Sequence, residues 1–295
     1  MRVFVTGATG FIGSATVREL LDAGHTVLGL ARNDEAAQAL ARAGAEAHRG
    51  ELTDLDSLAA GARACEGVIH LAFIHDFSKF MENTEIDRRA VEAMISALEG
   101  SNKPFVGASG ALLVASGRTA TEDDAPAHGA MPRAATEAFV LAAAGQGVRS
   151  SIVRLAPTVH GAGDHGFVPT LIDIARRTGF AAYVGDGANR WPAVHRLDAA
   201  RLYRLALEKA APGQPLHGVA EEGIPMREIA GAIGAGLGLP VRGITTDEAP
   251  AHFAWIGPFV QLDAPTSSAK TRETLGWRPR EAGLLTDMRE GGYFG

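Results

Sequence analysis

The chain has 295 residues, 46% of them hydrophobic and 21% charged, with a net charge of −6. This is enough apolar material for a full core, with no basic surplus to suggest nucleic acid. The single cysteine, Cys65, rules out an internal disulfide, no Cys/His cluster has metal-ligand spacing, no apolar run could span a bilayer, and residue 3 already begins a strand, so a soluble cytoplasmic protein is expected.

The first predicted element is an apolar strand over residues 2–6. It runs into Thr6-Gly7-Ala8-Thr9-Gly10-Phe11-Ile12-Gly13, a Gly-x-x-Gly-x-x-Gly turn, and then into a helical pattern over 11–23. Strand, glycine turn and helix in this order aim free backbone N–H groups and a helix dipole at one spot, which suits a pyrophosphate. A glycine trio alone could serve a plain βα turn; the elements around it support a dinucleotide site.

The second strand, 26–31, ends in Ala31-Arg32-Asn33. An NAD site of this type places an acid near here, on the adenosine ribose 2′-hydroxyl. Ala31 removes the carboxylate and Arg32 can grip a 2′-phosphate, so NADP(H) is expected over NAD(H). A solvated Arg32 at a strand end is the plainer alternative.

Helices follow at 34–43, 55–64, 84–100 and 131–145, interleaved with strands at 45–49, 67–71, 104–108 and 148–154. Alternation with connections too long for hairpins implies an α/β fold, a doubly wound parallel Rossmann sheet. After Arg154 the rhythm breaks into Ala156-Pro157-Thr158 and a Gly/Asp/His-rich loop over 161–166. Beyond it come helices at 167–178, 198–209, 225–237, 247–254 and 267–275, a strand around 191–196 and another at 241–246. The expected division is a dinucleotide-binding domain over 1–160 and a smaller C-terminal substrate lobe over 161–295, with 191–220 returning to the sheet.

Six stretches together carry a family likeness: Val5–Gly13, Gly50-Glu51-Leu52-Thr53-Asp54, Val68-Ile69-His70-Leu71-Ala72, Val153-Arg154-Leu155-Ala156-Pro157 through Gly161, His195–Ala199 and Leu275-Gly276-Trp277-Arg278-Pro279. In these the chain resembles the short-chain dehydrogenase/reductase superfamily, in its extended or atypical epimerase/dehydratase-like branch. The resemblance implies that Glu51 and Leu52 border the adenine and that Leu71, Ala72 and Phe73 line the cofactor. It also implies that Pro157 and Thr158 sit by the nicotinamide. Paired helices at 84–100 and 131–145 would form a homodimer interface, using Ala90, Ala93, Met94, Ala97, Ala134, Ala138, Leu141 and Ala142.

The departure from the family lies in its Tyr-x-x-x-Lys pair. Arg133 stands where the tyrosine is expected and Glu137 where the lysine is expected. The tyrosines are Tyr183, Tyr203 and Tyr293, none with lysine four residues on. Arg133 and Glu137, four apart, are expected to pair on one helix turn. Ser109 is the nearest hydroxyl for the family's serine, with Gly110 or Ala111 at that position in a shifted register.

Histidines are the natural substitutes as proton donors, because they titrate near neutrality. His75, after the fourth strand, and His165, beside Asp164, are the candidates; His195 is expected to be structural. Phe77, His160, Phe167, Tyr183 and Trp191 are expected to form a largely apolar substrate pocket. The expected function is NADP(H)-dependent reduction of a hydrophobic ketone, aldehyde or imine. The alternatives are an epimerase or dehydratase using the cofactor transiently, and an NADP(H) sensor without turnover. No metal, nucleic acid or membrane partner is expected.

Overall fold

The structure is a computed structural model, and it describes every residue except 77–78, 116 and 127–131. Seven strands form the main sheet: β1 (Arg2–Thr6), β2 (Thr26–Ala31), β3 (Glu46–Arg49), β4 (Gly67–His70), β5 (Pro104–Gly110), β6 (Arg149–Leu155) and β10 (Gln214–Gly218). Their order is β10-β6-β5-β4-β1-β2-β3, and every pairing is parallel. Chain order reverses between β1 and β4, and the crevice beyond the carboxyl ends of those strands is where such sheets bind ligands.

Helices α1 (Phe11–Asp22), α2 (Asp34–Ala43), α3 (Leu55–Arg63), α4 (Phe80–Ser96) and α5 (Pro132–Ala142) connect the first six strands. α2 and α3 start where a side chain can cap them: Asn33 accepts from Ala36 N–H, and Asp54 from Ser57 N–H. α4 begins at Phe80, earlier than the periodicity suggested; the Asn83 amide donates to the Asp76 carbonyl and ties down its first turn. α5 has proline at its first position, where the missing N–H costs nothing.

The buried faces of β1, β4, β5 and β6 divide between two apolar clusters, one under each layer of helices. α7 (Arg196–Lys209), following β9 (Arg190–His195), lies against α1 and the sheet, and β10 then extends the sheet edge. A separate apolar cluster gathers α6 (Phe167–Thr178), β8 (Ala181–Val184), β11 (Glu221–Pro225), α8 (Met226–Leu237), α9 (Ala249–Phe253), α10 (Gly257–Val260) and α12 (Leu284–Glu290). Its strands pair as β11-β9-β7, with β7 at Thr158–His160, and as β12-β8, with β12 at Val241–Ile244. α11 (Ala269–Leu275) packs back on β10 and α7, so Leu275 and Trp277 belong to the core of the sheet. Strands β7, β8, β10 and β11 and helices α10 and α12 were absent from the predicted elements; each is short, and two of the strands alternate little.

Candidate active site

The glycine turn is built from backbone. Gly7 has φ +65°, and a Cβ there would lie 2.7 Å from the Ala72 nitrogen, so only glycine fits. A Cβ on Gly13 would lie 1.9 Å from the Gly7 carbonyl oxygen, so the first turn of α1 rests directly on the loop. Gly10 differs: it is exposed, its nearest neighbour to such a Cβ is the Gly7 oxygen at 3.2 Å, and it caps α1 with no side chain. Uncapped N–H groups and an open, side-chain-free surface are what a pyrophosphate needs, so the residues fit a dinucleotide. Beside Gly10, exposed Thr9 and half-buried Phe11 and Ile12 keep some solvent-facing surface. Thr6 does not: it is fully buried, with its hydroxyl 2.7 Å from His70 Nδ1 and accepting from Ala72 N–H. His70 Nε2 in turn meets Asp87 Oδ1 at 3.1 Å, so a buried Thr–His–Asp chain supports the loop from below.

Around the rest of the expected cofactor path, Ala31 is buried and Arg32 is exposed, with no side-chain partner among the described residues. Glu51 is exposed and accepts from the Thr53 hydroxyl; Leu52 packs against the core. Leu71, Ala72 and Phe73 are half-buried past the end of β4. Pro157 is half-buried, whereas the Thr158 hydroxyl is spent on the Pro192 carbonyl at 2.6 Å.

The β5–α5 corner is built from side chains, and it differs from the sequence expectation. Glu137 does not pair with Arg133. It is buried, with Oε1 accepting from Arg154 Nε at 2.9 Å and Nη2 at 2.6 Å, and Oε2 accepting from the Ser109 hydroxyl at 2.6 Å. Arg154 Nη1 also reaches the Asp124 carbonyl and His217 Nε2. The nearer partner on the same helix loses because Glu137 lies on the inward face, beside β6, where an unpaired Arg154 would be costly. Ser109 supplies a hydroxyl to this corner. Its proton is committed to Glu137, so toward the crevice it offers lone pairs.

Arg133 instead donates from Nη2 to the Ala108 carbonyl at 3.0 Å and lies over the Phe73 ring at 4.2 Å. The crowded surroundings of His75, and then the Arg133 charge, hold that imidazole below its ordinary pKa; His165 adds to the effect. His165 is exposed and meets the Phe11 ring edge-on at 5.7 Å, with Arg196 on the same ring at 5.2 Å. Phe11 thus adjoins His165 at the glycine turn, and Phe73 adjoins both His75 and Arg133 toward the β5 end.

The expected substrate residues scatter. His160 is fully buried, its Nδ1 2.8 Å from Asp287 of α12, and presents nothing to a substrate. Trp191 is also fully buried, donating to the Phe259 carbonyl. Both are corrected to structural positions, drawn inward by long-range partners. Tyr183 is half-buried on β8 against Gly187. Phe167 opens α6 just after His165, with ring centroids 5.5 Å from Phe259 and 5.8 Å from the exposed Trp255. Phe77 lies outside the described residues. His195 caps α7 by accepting from Leu197 N–H, as a structural histidine would.

Reasoning from the sequence missed the Arg154–Glu137–Ser109 and Thr6–His70–Asp87 chains. A charge inside the apolar run Ile152-Val153-Arg154-Leu155 was the available signal for the first, because a buried arginine needs a carboxylate. Among the described residues no group of three or more His, Cys, Asp or Glu could hold a metal, and no helix is long and apolar enough to cross a membrane.

Comparison with known proteins matches residues 3–218 to the NAD dependent epimerase/dehydratase family. An uncharacterized protein of Schizosaccharomyces pombe is 50% identical over the whole of both chains. A 2-alkyl-3-oxoalkanoate reductase of Stenotrophomonas maltophilia is 30% identical over 81% of this chain and 77% of its own. In fold, a UDP-glucose 4-epimerase from Stenotrophomonas maltophila with bound NAD superposes with a TM-score of 0.77, covering 99% of this chain and 97% of its own at 20% identity.

Proposed function

The chain belongs to the NAD dependent epimerase/dehydratase family, and within it we propose an NADP(H)-dependent oxidoreductase that reduces a hydrophobic ketone, aldehyde or imine. The observation that supports this most is continuity: the uncapped glycine turn leads through Phe11 and His165 to Arg133 and Ser109. One end suits a dinucleotide, and the other carries polar groups but no Tyr/Lys pair. The similarity to an oxoalkanoate reductase favours reduction over epimerisation. The missing acid at the end of β2, with the unengaged Arg32, supports NADP(H) over NAD(H).

Bound in the turn, the cofactor would supply a hydride. Gly10 and the first N–H groups of α1 would hold its pyrophosphate, and Arg32 its 2′-phosphate. Ser109 would accept from an O–H or N–H on the reacting centre, because Glu137 takes its own proton. Such a serine suits a protonated imine or the alcohol formed by reduction. The proton for a bare carbonyl would come from His165 or from water reaching the open crevice. The deciding experiment is NADPH oxidation, followed by absorbance, against a panel of hydrophobic ketones and cyclic imines. Tight NADPH binding with no turnover on any of them would instead favour the sensor.

A homodimer through α4 and α5 is also proposed, with a narrower interface than the spacing suggested. Ala90 and Met94 are buried in the protein's own core, while Ala93, Ala97, Ala134 and Leu141 are half-buried and Ala138 and Ala142 exposed. A monomer by light scattering at micromolar concentration would refute it.

A further inference from the structure

Arg133 is a half-buried cation without an anion. Its contacts are a carbonyl, Ala108 O at 3.0 Å, and a ring, Phe73 at 4.2 Å. It joins no ion pair among the described residues, and the residues outside that set include no Asp or Glu. Arg154 is matched by Glu137, Arg201 by Asp198 and Glu281, and Arg204 by Glu19 and Glu208, whereas Arg149 is held by the Ala210 and Leu207 carbonyls, and Arg196 by the Ala162 carbonyl and the Phe11 ring. The Arg133 and His165 charges both bear on neighbouring His75.

Taking a guanidinium part-way out of water costs free energy unless an anion meets it. Its flat fork of donors matches a carboxylate in particular. Nη2 is engaged, while among the described residues Nε and Nη1 make no hydrogen bond, which leaves them available to a ligand. The anchor points fix where that ligand sits. Ala108 lies near the carboxyl end of β5 and Phe73 just past β4, beside the Ser109 hydroxyl. Apolar surface from Phe167, Phe259 and Trp255 lies beyond His165.

We propose that Arg133 is the carboxylate clamp of the substrate site, and that the substrate is an apolar oxo acid. The oxo group rests on the oxidoreductase reading above; the carboxylate rests on Arg133 alone.

The test separates the two. Calorimetry in saturating NADP⁺ would compare 3-phenylpropanoate, which cannot be reduced, with its methyl ester. The acid should bind wild-type protein on the order of 10- to 100-fold tighter than the ester. Arg133→Ala should erase that difference, Arg133→Lys should recover part of it, and NADP⁺ affinity should not move. In parallel, KM for phenylpyruvate and benzoylacetate should rise by a similar factor in Arg133→Ala, with their methyl esters unaffected. Equal binding of acid and ester, or no binding of the acid, overturns the clamp. So does a matching loss of NADP⁺ affinity in Arg133→Ala, which would make the cofactor's phosphates the missing anion. Loss of acid binding in Arg133→Ala, with no oxo acid or ester reduced by any variant, keeps the clamp and sinks the oxidoreductase reading. Reduction of neutral ketones alone, indifferent to Arg133, does the reverse.

Discussion

The glycine turn and the β5–α5 corner face the same crevice and are built in opposite ways. The turn is backbone: Gly7 and Gly13 pack against other main chain, and Gly10 leaves a surface with no side chain on it. The corner is side chain: Ser109 from β5, Glu137 from α5, Arg154 from β6 and His217 from β10 interlock. A backbone site binds what any dinucleotide shares, so it persists while chemistry changes. A side-chain corner can be rewired by a few substitutions, and here it holds an arginine over a ring and a glutamate in a buried ion pair.

The sharpest way to break this contrast is a pair of variants. Glu137→Gln should destabilise the protein by about 3–5 kcal/mol in urea unfolding, because Arg154 is left buried and unpaired. Gly10→Val should unfold like wild type yet lose NADPH affinity on the order of 100-fold by calorimetry. If Gly10→Val kept its affinity, the turn would not be the pyrophosphate site. If Glu137→Gln cost under about 1 kcal/mol, the corner would not depend on its ion pair.

Next in size is the proton. His165→Asn should slow carbonyl reduction by about 10²–10⁴-fold, the usual share of a general acid, with NADPH affinity unchanged. Reduction of a preformed iminium, which needs no proton, should slow far less. His75→Asn should do less than His165→Asn in the same assay, since burial and the Arg133 charge lower the pKa of His75. Equal rates for wild type and both variants on both substrates would assign the proton to water.

A smaller effect tests the far end of the turn. Arg32→Ala should remove roughly 1.5–3 kcal/mol of preference for NADP(H) over NAD(H). Equal wild-type affinities for the two cofactors would show that Arg32 is only solvated.

The smallest effect is in pH. Burial holds His217 below its ordinary value of 6.5. Its neutral form fits the site: Nδ1–H donates to the Ser267 carbonyl and Nε2 accepts from Arg154. Burial also lowers His195 and His252. Each takes up its proton more readily in the unfolded chain. Stability should therefore be full above about pH 6.5 and fall below it, until the folded histidines also protonate. His217→Gln should flatten this fall in melting curves taken from pH 7.5 to 5.5. An unchanged slope would mean that His217 does not contribute to it.

The fold was legible because its signals are local. Strand β1, the glycine turn and α1 lie within the first 22 residues, and the alternation that followed required one topology. Gly7 is fixed by its own φ and its neighbours, and the missing acid at Ala31 is a single position in a known register. The interlocked corner was not legible. Spacing placed Arg133 and Glu137 on one helix turn, and helix geometry alone allows that pair. Only the packed sheet shows that Arg154 arrives on β6 to claim Glu137, that Ser109 points at the same carboxylate, and that Arg133 is left to Phe73. His160 and Trp191 went astray for the same reason: their partners, Asp287 and Phe259, lie far along the chain. Sequence decides what one stretch of chain can do alone; which partner wins a buried charge is decided by burial itself, which exists only once the tertiary structure has closed.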